Sequence, residues 1–394
     1  MKKTIRDFDL RGKRILIRVD FNVPLDKSLH VTDDNRIRAS LPTIQYALDH
    51  GAKVVLMSHL GRPEGKPVSS MSLSPASKRL SELIKKEVIQ CSDCVGSRVK
   101  EELSVLNGVR SVAVLENLRF YPDEEKNNAD FAKKLAENGD IYINDAFGSS
   151  HRAHASIDAV TKFLPSGAGF LLEKEIRYLG DAMQSPKKPF IAILGGSKVS
   201  DKIGVVENLI GKVDKILIGG AMAYTFLRAQ GIEIGDSKYE KDKLDLARSI
   251  LDKAKQAKVE ILLPVDHVTV QKVDAAAPVK VEEPGISAGR LGVDIGPKTV
   301  ELFSKTLDSA KTVIWNGPMG IFEMQPFANG SREIALKLSQ LKDAVTVIGG
   351  GDTAACVIGF GLDGKMTHIS TGGGASLEYL EGKALPGILA LSDR

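Results

Sequence analysis

Only three cysteines, Cys91, Cys94 and Cys356, occur in 394 residues. An odd number cannot pair off, so a disulfide framework is excluded and a reducing compartment is expected. Cys91 and Cys94 have the spacing of half a zinc site or a redox pair, but no second Cys or His pair stands nearby to complete a tetrahedral shell, and they are read as incidental thiols. Long apolar runs are also missing: no stretch approaches the roughly 18 unbroken apolar residues of a membrane-spanning helix. The opening Met1-Lys2-Lys3-Thr4-Ile5-Arg6-Asp7 runs straight into charge, without the apolar segment of a secretory signal. The expectation is a cytoplasmic protein with no membrane partner. Excess charge is small, 54 basic against 50 acidic side chains, or +4. That falls short of the basic footprint of a nucleic-acid binder, so no nucleic-acid partner is expected.

Several catalytic signatures are absent as well. The nearest approach to a Walker A loop, Gly359 to Gly364 followed by Lys365 and Met366, lacks the Ser/Thr that would meet Mg²⁺. No Gly-x-Gly-x-x-Gly opens a helix after the first strand of either half, which argues against a nicotinamide-dependent dehydrogenase. Neither Gly-x-Ser-x-Gly nor His-Glu-x-x-His occurs, so hydrolases built on those patterns are unsupported.

What is present is a regular alternation. Apolar, β-branched runs at Arg14 to Val19, Lys53 to Met57, Val112 to Leu115 and Ile141 to Asn144 read as strands, and the series resumes at Phe190 to Leu194, Ile216 to Ile218, Ile261 to Pro264, Val313 to Trp315, Val345 to Ile348 and Thr367 to Ile369. Helical patterns lie between them; one begins with Ser74 as N-cap and Pro75 at the first helical position. The expected class is α/β: two Rossmann-like, doubly wound domains with mainly parallel sheets, joined by a hinge helix. Pro165 to Gly169, a helix from about Leu171 to Met183, and the proline-rich Ser185 to Pro189 mark the junction. The expected domains are 1–170, a connecting helix and hinge over 171–186, and 187–384. The stretch from Gln271 to Lys298 reads as an excursion from the second domain.

The strand ends differ between the halves. In the second half they run into glycine: Gly195-Gly196-Ser197-Lys198, Gly219-Gly220-Ala221, Gly349-Gly350-Gly351-Asp352-Thr353 and Gly372-Gly373-Gly374. Glycine at a strand-to-helix turn serves either an anion or merely a tight bend. Parallel strands bring their C-terminal ends to one edge, so four such turns are expected to converge on one crevice. Lys198 and Lys202, if helical, share a face above the first turn, and Asp352 is placed either to hold Mg²⁺ or to cap a helix. In the first half, arginine takes the place of glycine: Arg62, Arg119 and Arg152, with Arg36, follow successive strands. That half holds 26 basic against 22 acidic residues up to position 170, whereas the remainder holds 28 of each. Guanidinium groups in such number suit a phosphorylated acid. His151 and His154 lack carboxylate or cysteine partners at ligand spacing, so anion binding or helix capping is expected and zinc is not.

These motifs together resemble the phosphoglycerate kinase family. The resemblance runs end to end, through Arg18-Val19-Asp20-Phe21-Asn22-Val23-Pro24, Ser58-His59-Leu60-Gly61-Arg62-Pro63, Leu115 to Phe120, Asn144 to Gly148, His151 to Ser156, Trp315-Asn316-Gly317-Pro318-Met319-Gly320, Gly349 to Thr353 and Ser370 to Ser376. It implies a glycolytic enzyme that passes a phosphoryl group reversibly between 1,3-bisphosphoglycerate and ADP. By the same resemblance the first domain binds 3-phosphoglycerate or its acyl phosphate through Asp20, Asn22, Arg36, His59, Arg62, Arg119 and Arg152. The second binds ATP or ADP through Gly196, Lys202, Gly219, Gly220, Asn316, Pro318, Ile321, Glu323, Gly350, Gly351, Asp352 and Thr353, with Asp352 on Mg²⁺. Arg36, Lys198, Gly350, Gly373 and Gly374 are implied to neutralise the phosphoryl group in transfer. The resemblance also implies a tail, 385–394, packed on the first domain, and a monomer whose domains close about the hinge helix. Ser197 and Ala221 stand where the family usually has alanine and glycine.

Overall fold

The computed structural model describes all 394 residues, and the chain divides into two compact units: Met1–Arg177 together with Ala384–Arg394, and Tyr178–Lys383. The division falls inside a helix, Phe170–Gln184.

The first unit is built on six parallel strands, β1 Arg14–Arg18, β2 Lys53–Met57, β3 Val88–Gln90, β4 Val112–Val114, β5 Ile141–Asn144 and β6 Ser166–Ala168, in the order β3-β4-β2-β1-β5-β6. The central strands are apolar on both faces because helices cover both. Ile15 and Ile17, Val54 and Leu56, Val112 and Val114, and Ile141 and Ile143 pack in one core. Two short strands escape the sequence pattern. β3 has only half-buried residues, and Ser166-Gly167-Ala168, which reads as linker, pairs with β5 as an edge strand. Ser74 is also not an N-cap: it is the first residue of the helix Ser74–Ile84, whose cap is Leu73, and the Leu73 carbonyl accepts from Ser77 N.

The carboxyl-terminal segment belongs to this unit. Lys3 N donates to Ser392 O at 2.9 Å, Gly387 N to Ser150 O at 2.9 Å, and Asn144 Nδ2 to Gly387 O at 2.9 Å. Asp145, just beyond β5, accepts from Leu171 N at 2.9 Å and Leu172 N at 3.3 Å, anchoring the start of the Phe170–Gln184 helix. Burial pushes its carboxyl up to about 7 against those donors.

The second unit repeats the plan. Its strands β7 Phe190–Leu194, β8 Lys215–Ile218, β9 Glu260–Leu262, β13 Thr312–Asn316, β14 Val345–Gly349 and β15 His368–Ile369 form a parallel sheet in the order β15-β14-β13-β7-β8-β9. The excursion starts earlier than Gln271: its strands β11 Lys280–Glu282 and β12 Leu291–Ile295 pair antiparallel on either side of β10 His267–Val270, which precedes that stretch. Trp315, buried with Ile191, Ile193, Val313 and Ile348, anchors the core. In each sheet the chain starts at a central strand, builds outward on one side, then returns to the other. The resulting switch point opens a crevice beyond the strand carboxyl ends. No helix is long and apolar enough to cross a membrane.

Candidate active site

At the carboxyl ends of β1, β2, β4 and β5 the first unit gathers a cluster of cations. Asp20 Oδ2 accepts from Arg36 Nη1 at 2.7 Å, which directs that guanidinium toward the loop after β1. Asn22 Oδ1 accepts from Gly61 N at 2.9 Å, tying this loop to the one after β2. Asn117 organises the third loop: its amide donates to Leu60 O at 2.7 Å and Met71 O at 2.8 Å, and its Oδ1 accepts from Arg119 N at 3.1 Å. Arg119 is thereby buried, with Nη1 donating to Gly61 O at 2.9 Å. Its Nε lies 3.1 Å from Glu125 Oε1, close enough for an ion pair but too poorly aligned for a hydrogen bond. Arg152 Nε donates to His151 Nε2 at 3.1 Å, and Arg62 is exposed with no protein partner.

The electrostatics of this cluster are one-sided. His59 is held well below its ordinary pKa by burial first, then by Arg18, Arg119 and Arg36. His154 is driven down to about 3 by burial and by Arg18, Arg119 and Arg152. Burial also lowers Arg119, with Arg152 and Arg18 adding to the effect against Glu125. Arg18, Arg36, Arg119 and Arg152 thus act together here, and Asp20, Glu124 and Glu125 answer only part of their charge.

The second unit carries a cavity of about 300 Å³ at the ends of β7, β13 and β14 and the start of the helix Gly373–Leu380. Its floor is Asn316, 1% exposed, whose Nδ2 and Oδ1 have no hydrogen-bond partner. An unsatisfied buried amide is costly and marks a place where a ligand completes the bonding. Thr353 Oγ1 accepts from Gly317 N at 2.6 Å, so that hydroxyl is already engaged within the protein. Gly317 has φ +103°, and a Cβ there would lie 2.1 Å from Gly195 O, so only glycine lets these two loops cross. Gly196 has φ +104° with open space where a Cβ would be, so its backbone is free to approach a ligand.

Lys198 and Lys202 line the cavity but not from a helix. Ser200 is drawn into a turn by Glu240, which accepts from its amide at 2.9 Å and its hydroxyl at 2.5 Å, and the helix begins only at Ile203. Burial lowers Lys202 to about 8, with Asp201, Asp352 and Glu381 opposing the shift. Asp352 is exposed in the first turn of the helix Gly351–Gly359, whose N-cap is Gly350, and it makes no hydrogen bond or ion pair. One free carboxylate beside a phosphate-sized cavity is the protein's usual share of a Mg²⁺ shell completed by phosphates and water, so the residues present fit that ion.

Of the residues singled out in sequence, the structure brings Gly196, Lys198, Lys202, Asn316, Pro318, Gly350, Gly351, Asp352, Thr353, Gly373 and Gly374 around one cavity. Gly219, Gly220, Ile321 and Glu323 are not in its lining. At Gly219 a Cβ would meet Met319 Sδ at 2.4 Å, and at Gly220 it would meet Gly196 N and O at 2.6 Å, so close packing accounts for both glycines. Sequence reasoning missed Leu377 and Asp201 in the cavity and gave no role to Arg18, Ser156 or Glu124 beneath the arginines. A charge inside Arg14-Ile15-Leu16-Ile17-Arg18 was the available signal for Arg18. Glu124, in an acidic run, offered none.

The phosphoglycerate kinase family profile matches residues 5–383. The chain is 54% identical over 397 residues to the phosphoglycerate kinase of Dictyoglomus turgidum and 53% identical over 396 residues to that of Chlorobaculum tepidum, with all of both chains covered in each case. It superposes on the solved phosphoglycerate kinase of Coxiella burnetii with a TM-score of 0.89 at 39% identity, and on that of Pyrococcus horikoshii with 0.84 at 34%. Each match covers 99% of this chain and 98% of the other.

Proposed function

Since the chain belongs to the phosphoglycerate kinase family and is a phosphotransferase interconverting 1,3-bisphosphoglycerate and ADP with 3-phosphoglycerate and ATP in glycolysis, we propose a division of labour among its residues. The phosphoglycerate is bound by the first unit, through Asp20, Asn22, Arg36, His59, Arg62, Arg119 and Arg152. The nucleotide is bound by the second, with its phosphates over the cavity above Asn316 and its nucleoside toward Pro318, Ile321, Glu323, Gly219 and Gly220. What carries the acid assignment is the gathering of Arg36, Arg119 and Arg152 at the strand ends beside the unpartnered Arg62, around His59 and His154, which burial first and these arginines second keep neutral.

The chemistry needs charge control more than proton transfer. An anionic β-phosphate oxygen of ADP attacks the acyl phosphorus, the bond from phosphorus to the carboxyl oxygen breaks, and the carboxylate departs without a proton, so no general base is required. Arg36 on the acid's side, and Lys198 with the amides of Gly350, Gly373 and Gly374 on the nucleotide's side, neutralise charge on the equatorial oxygens. Mg²⁺ held by Asp352 would supply further neutralisation of the nucleotide phosphates. Lys202, weakened as a cation by burial, regains full charge when a polyphosphate arrives.

Calorimetric titration of Arg62→Ala tests the assignment. Loss of an exposed, unpartnered guanidinium weakens 3-phosphoglycerate binding by about tenfold or more, the worth of a charge-assisted hydrogen bond, and leaves MgATP affinity within about twofold. Equal losses for both ligands would overturn the division.

A further inference from the structure

Arg18 ends β1 and is 1% exposed, and the reaction as described gives it no task. Three contacts inside the first unit hold its guanidinium. Nη1 donates to Val19 O, Nε donates to Ser156 Oγ at 2.9 Å, and Nη2 lies 3.1 Å from Nδ1 of His59. Ser156 passes the connection on: its hydroxyl donates to Glu124 Oε1 at 2.6 Å, and its amide donates to Glu124 Oε2 at 3.0 Å. Glu124 is fully buried, and burial raises its pKa, but Arg18 and the two Ser156 donors oppose that shift, so Glu124 is linked to Arg18 across one hydroxyl.

Donor chemistry then decides the state of His59. A guanidinium has five N–H groups and no lone pair to offer. Nδ1 of His59, facing Arg18 Nη2, must therefore accept and cannot carry a proton. The single ring proton of the neutral imidazole resides on Nε2, which has no partner within the protein. Phosphate and carboxylate oxygens only accept, so an Nε2 lone pair would repel the substrate where an Nε2–H binds it. Protonating Nδ1 would aim an N–H at the guanidinium. It would also add charge to a cluster where Arg18 from β1, Arg36 from the helix Asn35–Asp49 and Arg119 from the turn after β4 already outweigh the nearby Glu124, with His154 beside them neutral.

We propose that Arg18 is a positioning residue for phosphoglycerate binding: held by Ser156 and Glu124, it locks His59 as the neutral Nε2–H tautomer, so that the substrate meets a hydrogen-bond donor that does not switch with pH. This inference rests on placing the acid at the arginine cluster.

Two measurements test it. Long-range ¹H–¹⁵N correlation of the imidazoles in the full-length enzyme, with His59 identified by its loss in His59→Gln, reads the tautomer directly. The expected result is the Nε2–H pattern from about pH 5.5 to 8, across the range where an ordinary histidine charges, with a shift of the Nε2 proton on saturation with 3-phosphoglycerate. An Nδ1–H pattern, or a ring that becomes charged in that range, overturns the inference. No shift at saturation in a preparation that turns over would instead overturn the acid assignment and the inference with it.

The second measurement uses Arg18→Met combined with Glu124→Gln, which removes both buried charges and so leaves neither unpaired, beside Arg18→Lys, which keeps the cation. In the double variant Nδ1 no longer faces a guanidinium and is free to carry the ring proton, while burial, Arg119 and Arg36 still hold the imidazole below its ordinary pKa. The expected spectrum is a mixture of Nε2–H and Nδ1–H forms, and KM for 3-phosphoglycerate at pH 8, taken as a ratio to wild type, rises severalfold. Arg18→Lys, whose ammonium also only donates, keeps the Nε2–H form and recovers much of the wild-type KM, and kcat stays within about twofold in both. An Nε2–H pattern that persists unmixed in the double variant, or a loss confined to kcat, is the result of a merely structural Arg18 and overturns the proposal.

Discussion

Asn316 offers the sharpest test of the nucleotide site, because the same side chain is expected to harm the free protein and help the complex. It ends β13 at 1% exposure, and neither Nδ2 nor Oδ1 has a partner. Each buried, unsatisfied polar group costs on the order of 1 to 3 kcal/mol. Replacing Asn316 with Ala removes both groups and leaves a cavity of a few atoms, which costs about 1 kcal/mol. The balance favours the variant by roughly 1 to 5 kcal/mol. For a cooperative unit of roughly 200 residues that is a rise in Tm of about 2 to 20 °C, measured by calorimetry without ligand. With nucleotide the sign reverses: the two hydrogen bonds we propose between Asn316 and the nucleotide are together worth about 1 to 3 kcal/mol, so ADP affinity is expected to fall roughly 5- to 150-fold. A variant that melts earlier than wild type without ligand, while binding ADP equally well, would refute the reasoning, for it would mean that the amide is satisfied within the protein.

Three further outcomes are expected. Lys198→Ala lowers kcat on the order of a hundredfold while ADP affinity changes little, as for any preorganised donor aimed at the migrating group, and steady-state activity within about twofold of wild type would remove Lys198 from the mechanism. Chelating divalent cations abolishes turnover but not 3-phosphoglycerate binding, and Asp352→Ala raises the Mg²⁺ concentration needed for half-maximal rate; an unchanged Mg²⁺ requirement would remove Asp352 as ligand. Asp294 is buried beneath Gly320 and Gly330, and burial pushes its carboxyl up to about 7. A carboxyl with a raised folded-state pKa contributes stability that is fully present below its unfolded value near 4 and is lost as pH rises through about 7, so wild type loses stability relative to Asp294→Asn across that window in chemical denaturation, and parallel curves for the two proteins would contradict it.

Much of this protein is legible in its sequence because parallel sheets write themselves locally. A strand covered on both faces must be apolar throughout, which is why Lys53 to Met57, Ile141 to Asn144 and Phe190 to Leu194 coincide with strands at both ends. The convergence of arginines in one half and glycines in the other follows from the same rule, since parallel strands present all their carboxyl ends on one edge. β3 and β6 were not legible, being edge segments with few buried residues or with small ones, and neither was the turn at Lys198 to Lys202, which depends on Glu240, forty residues away from Ser200.

The division of labour among the glycines was beyond the sequence too. Gly196, Gly219 and Gly220 follow their strands alike, yet one faces open space and the others are filled by Met319 and by Gly196 itself. Periodicity reports which face of an element is buried, but not which neighbour occupies the space beside it. The apolar alternation, the arginine-bearing strand ends and the motif set therefore determined fold class, family and reaction. Only tertiary structure decided that Asn316 is left unsatisfied and that Arg18, through Ser156 and Glu124, sets the proton of His59, because hydrogen bonds between residues as distant as 18 and 156 are made by packing and leave no local pattern in the chain.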